Sequence, residues 1–175
     1  NQYFNKEYKK VKKTLKNFRK DDDFYHWYRV KKEAQIIAKQ RNNEESLNYI
    51  TAEFNKIDKP NYKILFDIGN FYKNSKEYEK AIKFYTKIIN KLNDNSKIKS
   101  DLLYRRGGSY ERMGAYKEAD KDLLDSLKIE PNDAYVLNYL AYSWLERDFK
   151  INDAIKMLEK AYSCLLYTSP SPRDS

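Results

Sequence analysis

His26 is the only histidine among the 175 residues, set between Tyr25 and Trp27. Cys164 is the only cysteine, so zinc finds no ligand set in this chain. A lone imidazole between two aromatic rings reads as a packing or hydrogen-bonding residue. The string Arg105-Arg106-Gly107-Gly108-Ser109 lacks the Gly-Lys-Ser/Thr ending of a phosphate loop, and it lies inside a helical pattern. Asp21-Asp22-Asp23 offers carboxylates to a cation, but no calcium-loop spacing follows. Those three acids suit the N-terminus of a helix starting near Phe24. No serine sits on a nucleophile turn that His26 and a carboxylate would serve. The expectation is a chain that is not an enzyme, with no catalytic residue, no metal and no cofactor.

Charge points outward, to surfaces. The chain carries 35 Lys+Arg against 26 Asp+Glu, a net charge of +9. Such a balance attracts polyanions at long range. The lysines are nevertheless interspersed with acids, as in Lys76-Glu77-Tyr78-Glu79-Lys80, which is the pattern of solvated helix faces. Lys, Asn, Ile and Tyr are also the residues that A/T-rich codons supply. Binding to nucleic acid is therefore the second reading rather than the first. No apolar run approaches the ~18 residues that span a bilayer.

The end of the chain reads differently from the rest. Ile151–Tyr162 has helical spacing, with Ile155, Leu158 and Ala161 on one face, before Pro170 and Pro172 break the pattern. Cys164–Asp174 back-translates, over eleven consecutive residues, onto a transposon-end adapter used in sequencing libraries. The tail 164–175 is therefore expected to be adapter read-through and is set aside from fold reasoning. The chain also begins at Asn1 rather than Met, so a fragment cut at both ends is expected.

Only four Gly and four Pro punctuate the chain, and helical periodicity dominates. The pattern repeats. Leu65, Gly69, Tyr72, Tyr78, Ala81 and Tyr85 each precede Leu103, Gly107, Tyr110, Tyr116, Ala119 and Leu123 by 38 residues. Leu137, Ala141 and Trp144 follow Leu103, Gly107 and Tyr110 by 34. Ala154, Leu158 and Ala161 follow Ala119, Leu123 and Ser126 by 35. Upstream, Ala34, Ile37, Ser46 and Ile50 precede Gly69, Tyr72, Ala81 and Tyr85 by 35.

This pattern resembles the tetratricopeptide repeat, a helix–turn–helix unit of about 34 residues. The copy with Leu103, Gly107, Tyr110, Gly114, Tyr116, Ala119, Leu123, Ser126 and Pro131 is the most complete. The resemblance implies an all-α helix–turn–helix solenoid, a right-handed superhelix of stacked pairs. Its expected parts are residues 1–20, the second helix of a truncated repeat, and 21–60, a degenerate repeat. Repeats at 61–99 and 100–133, a shortened one at 134–163, and the tail 164–175 follow. Small residues at Gly69, Gly107 and Ala141 would let paired helices approach, met by Ala81, Ala119 and Ala154. Tyr72, Tyr110 and Trp144 would fill the space between pairs. Gly114 would end a first helix in a left-handed conformation, and Pro131 a second one. Asn93–Ser96 is the expected turn of the longest copy. Arg106 stands where the family usually has Leu, and would stack on a ring or reach a carboxylate. The strings YRRGGSYERMGAY and VLNYLAYSWLER also resemble long bacterial repeat proteins of the cell envelope. The resemblance leaves envelope, periplasm and cytoplasm open.

The function the resemblance implies is a protein–protein interaction scaffold that holds a protein or peptide partner against its first helices. The inner-face positions are Phe66, Asn70 and Lys73 in one copy. They are Tyr104, Arg105, Gly108, Glu111 and Arg112 in the next, then Asn138 and Tyr142. Some family members grip a terminal carboxylate with Lys and Asn on this face. Here Asn70 matches an Asn, while Phe66 stands in the place of the Lys. The alternative function is an RNA-associated helical repeat using the basic surface, which would show a continuous Lys/Arg stripe.

Overall fold

Helix starts are marked by short polar side chains. Asn42, Asn61 and Ser96 each accept a hydrogen bond from the backbone N–H three residues on, and Asp133 accepts from Tyr135 and Val136. Each such cap satisfies donors that a helix leaves unpaired. The computed structural model describes residues 9–10, 13–14, 23–92 and 96–168. Eight helices span most of these: α1 (Asp23–Gln40), α2 (Asn43–Phe54), α3 (Tyr62–Asn74) and α4 (Tyr78–Ile89). They continue as α5 (Lys97–Arg112), α6 (Tyr116–Ile129), α7 (Ala134–Glu146) and α8 (Ile151–Thr168). No strand occurs among the described residues. The architecture is all-α and built from helix–turn–helix pairs.

The helix expected within residues 1–20 lies mostly outside the described residues, although 9–10 and 13–14 are helical. Residues 93–95 of the expected turn also lie outside them. Of the three expected capping acids, Asp23 opens α1, and 21–22 lie outside. At the other end α8 departs from the sequence reading: it continues past Tyr162 to Thr168. The residues after Tyr162 contain no proline before Pro170, so nothing local ends the helix earlier.

The chain divides into two compact units, Asn1–Phe84 and Tyr85–Ser175. In the first, aromatic rings join the pairs. Phe54 of α2 meets Trp27 and Phe84 edge-on at 6.3 and 5.3 Å, and Tyr72 stacks on Phe84 at 5.6 Å. The Tyr72 hydroxyl reaches Thr51 Oγ1 at 3.1 Å, so the ring buries its apolar body and satisfies its polar tip. Ser46 Oγ donates to the Ala34 carbonyl at 2.6 Å, a bond that needs α1 and α2 close together.

In the second unit Leu123, Val136, Leu140, Ala141, Trp144 and Ala154 form the core. A Cβ built on Gly107 would lie 3.0 Å from Leu123 Cγ and 3.2 Å from the Ala119 carbonyl oxygen. That is the close approach the spacing of small residues predicts. Ser100 and Ser126 lock the same pair, each hydroxyl donating to the other's carbonyl at 3.1 and 3.0 Å. Arg106 reaches a carboxylate: Nε and Nη2 bond Asp122 at 2.6 and 2.8 Å, and Nη1 reaches Thr86 Oγ1 at 3.0 Å. The carboxylate is buried, and its charge is tolerated because the forked guanidinium meets both oxygens.

The turn inside three of the four pairs, α3–α4, α5–α6 and α7–α8, uses one geometry. Gly114 has φ +75°, and the equivalent Lys76 and Asp148 have φ 64° and 51°. In each, the next residue's N–H reaches back five: Glu77 to Tyr72, Ala115 to Tyr110, Phe149 to Trp144, at 2.9, 3.0 and 2.9 Å. This is the Schellman closure, which places its turning residue in the left-handed region that glycine occupies without strain.

Two outcomes test this account. Gly107→Leu should overpack α5 against α6 and cost ~1–3 kcal/mol in urea denaturation. Gly108→Ala should be neutral or gain up to ~1 kcal/mol of helix propensity, since its new Cβ meets only the Tyr139 ring at 3.5 Å or more. Second, Lys76→Gly should raise stability by ~0.5–1 kcal/mol. Asp148→Gly should gain less, because Asp tolerates the left-handed region better. Equal responses at 107 and 108, or a loss at 76, would contradict the packing and turn assignments.

Candidate functional site

The face of α5 turned toward α7 is built around one side chain that the sequence reading missed. Tyr139 lies in the angle formed by Tyr104, Gly108 and Glu111, spaced four and three residues apart on α5. Its ring meets Tyr104 edge-on at 5.7 Å, and its hydroxyl donates to Glu111 Oε2 at 2.9 Å. The ring lies 3.5 Å or more from where a Gly108 Cβ would stand, at ordinary contact distance, so it lies against this position. Burial, and next the bond to Glu111, raise the Tyr139 phenol above its ordinary pKa. Burial likewise raises Tyr104. Gly108, expected among the inner-face positions, thus has a neighbouring ring of the same chain against it.

Around this seat lie the charged positions. Arg105 pairs with Asp101 at 2.9 Å, and Arg112 lies 3.6 Å from Glu111. On α7 the outward stripe is aromatic. Tyr135 and Tyr142 are 76% and 53% exposed, and exposed Asn138 lies between them at helical spacing. Tyr135 was not anticipated, although it is three residues before Asn138 on the same face.

In the first unit the first helices α1 and α3 bound a cleft of about 690 Å³. Lys31, Lys32, Gln35 and Lys39 line it from α1, Asn70 and Asn74 from α3, over a floor that includes Ile36 and Phe71. Asp67 is its one carboxylate. It accepts from Lys31 Nζ at 2.9 and 3.1 Å and from Trp27 Nε1 at 3.0 Å, so its charge is spent within the protein.

Of the positions the sequence proposed, Asn70 lines this cleft, whereas Phe66 and Lys73 are half-buried on α3 without lining it. Tyr104, Gly108 and Glu111 come together around Tyr139. Arg105 and Arg112 stand beside them, and Asn138 and Tyr142 face outward on α7. The cleft was legible in part: the 35-residue offset that pairs Ala34 with Gly69 also pairs Lys31, Gln35 and Ala38, which line it, with Phe66, Asn70 and Lys73, but it does not reach Lys32 or Lys39. His26 lies 3.8 Å from Glu53 and 3.3 Å from Arg29, a polar link between α1 and α2. Among the described residues no three His, Cys, Asp or Glu groups cluster as metal ligands. No described helix is long and apolar enough to cross a membrane.

The seat has a measurable strength. Tyr139→Phe should cost ~1–3 kcal/mol, since it strands the Glu111 carboxylate's partner site. A phenol whose folded pKa is raised contributes fully below the ordinary tyrosine value of about 10, and that contribution is lost as pH climbs toward the raised value. Alkaline unfolding of the native chain should therefore be steeper than that of Tyr139→Phe.

The tetratricopeptide repeat family model matches residues 62–90 and 100–133. No curated protein matches the chain at a significant level. Among solved structures, MamA aligns at 18% identity with a TM-score of 0.63, covering 91% of this chain and 85% of that one. A second MamA structure gives 17% and 0.69, with 93% and 90% covered. YrrB, described as a tetratricopeptide repeat protein with an unusual peptide-binding site, gives 14% and 0.61, with 80% and 68% covered. At such identities the likeness shows the fold alone, and it agrees with the paired helices and Schellman turns described above. Residues 62–90 and 100–133 are thus tetratricopeptide repeats, set in a chain whose fold is of that kind.

Proposed function

We propose that this chain is a non-catalytic interaction scaffold that takes a protein or peptide segment on the outward faces of its first helices. The observation that carries this reading is the stripe Tyr135–Asn138–Tyr142. Two large aromatic residues stay in water on one helix face, with an amide between them to fix a backbone. Tyrosine gives wide contact area at low entropic cost and is enriched where binding energy concentrates. Tyr104, Gly108 and Glu111 contribute indirectly, by seating Tyr139 and so fixing α7 against α5. Arg105 and Arg112 supply forked donors at the edge of the same face. That YrrB, of like fold, is described with a peptide-binding site is consistent with this use. The outward stripe of α7 holds no Lys or Arg, which disfavours an RNA track there.

The test is capture of a partner followed by affinity measurement. Tyr142→Ala and Tyr135→Ala should each weaken binding by ~1–3 kcal/mol, and Arg105→Ala by less, because Asp101 already engages its guanidinium. Lys121→Ala, distant from this face, should change nothing. A partner bound equally well by both tyrosine variants would refute the assignment. So would a captured RNA whose affinity falls steeply with salt.

A further inference from the structure

On the side of α7 away from Tyr135 and Tyr142 lies a groove of about 360 Å³. At about 100° per residue, Leu137 and Trp144 fall on the opposite face of α7 from that stripe, and they form the groove's floor. Leu127, near the end of α6, stands on one wall, and Met157 of α8 on the other. Asp153, Lys156 and Lys160 also line the α8 wall. All three are exposed, and none makes an ion pair or a side-chain hydrogen bond among the described residues. Asp125 and Lys128 have the spacing of Asp153 and Lys156, and they pair at 2.7 Å. On α8 the same spacing leaves both charges unmatched beside an apolar floor.

The floor and the charged wall belong to different helices. An occupant must therefore turn an apolar face to α7 and a charged face, next to it, to α8. An extended segment has only two opposite faces. In an α-helix, sequence neighbours stand about 100° apart, so a charge that meets α8 carries its neighbour over the floor. Along α8 the charges run negative, positive, positive, at steps of about 4.5 and 6 Å. We infer that this groove binds an amphipathic helix of a partner protein, antiparallel to α8. Acids at its positions i and i+4 meet Lys160 and Lys156, a base at i+7 meets Asp153, and apolar residues at i+1, i+5 and i+8 cover Leu137 and Trp144. The antiparallel sense also sets opposite helix ends together. This inference goes beyond the scaffold reading, which places a partner on the other face of α7.

Fluorescence anisotropy tests it with labelled, acetylated and amidated helical peptides, titrated with the full chain. The peptide carrying Glu-Leu-Gln-Ala-Glu-Leu-Gln-Lys-Leu should bind about fivefold tighter, or more, than one carrying Glu-Leu-Gln-Ala-Lys-Leu-Gln-Glu-Leu. The two have the same composition and net charge, so the general field of a basic chain does not separate them. Lys156→Glu with Lys160→Glu should remove the preference. Lys117→Glu with Lys121→Glu on α6 changes the net charge equally and should keep it, as should Tyr142→Ala. Adding Asp153→Lys to the α8 pair should turn the preference toward the charge-inverted peptide, Lys-Leu-Gln-Ala-Lys-Leu-Gln-Glu-Leu, a gain that a misfolded variant would not show. Equal affinity for the first two peptides overturns the inference, as does no binding at millimolar concentration. Sedimentation that shows the chain pairing with itself through Lys156 and Lys160 overturns it in favour of a second copy. Tighter binding to phosphatidylserine vesicles than to the first peptide overturns it in favour of a lipid surface. If the peptides fail while a captured partner still depends on Tyr142, the groove assignment falls and the scaffold reading stands.

Discussion

A side chain that is missing at Gly107 sets the distance between α5 and α6. The backbone of α6 comes near enough that an added Cβ would touch the Ala119 carbonyl oxygen. Close approach makes the other contacts of the pair reachable. The reciprocal hydroxyl bonds of Ser100 and Ser126 span it, and so does the two-pronged contact of Arg106 with Asp122. These polar groups are buried or nearly so, and each is satisfied only because the helices are this close. Glycine lowers helix propensity by ~1 kcal/mol here, and the packing it permits offsets that.

The fold was legible because its determinants are local and recur. Small residues every 34–38 positions, the Asp133 cap, Gly114 and Pro131 each act within a few residues of their own backbone. The same closure forms at Lys76 and Asp148 without glycine. The position is therefore fixed by the 6→1 hydrogen bond and the packing around it, with glycine the least strained occupant. The extent of α8 was less legible, since only proline was read as a stop and Ser163–Thr168 carry none.

The candidate site was legible in position and not in pairing. The repeat offset identifies the outward face of each first helix, but it cannot tell which side chains on that face are consumed by neighbours. Gly108 was expected to face a partner, and the Tyr139 ring, from the following repeat, lies against it. Arg105 was expected to face a partner, and Asp101, one turn earlier, pairs with it. Both partners lie at spacings that a single sequence offers along with many others. Their choice depends on rotamers and on the distance between helices, which become definite only when the helices are packed.

Carboxylates show what such consumption does to function. In each unit one half-buried aspartate collects an indole N–H and a cation. Asp67 takes Trp27 and Lys31, and Asp120 takes Trp144 at 2.9 Å and Arg147 at 2.7 Å. A carboxylate left alone at that depth would cost several kcal/mol, so each triad is first a packing device that ties a large ring to the adjacent helix. Arg147 also covers the Tyr116 ring at 4.5 Å, so in the second unit the cation is absorbed into the structure. In the first unit the aspartate lies in a cleft and removes one lysine from an otherwise basic wall. What that cleft presents is the remainder after internal neutralisation. The net charge of +9 therefore does not describe binding by itself; what matters is which cations the fold leaves without a carboxylate, and how far apart it holds them.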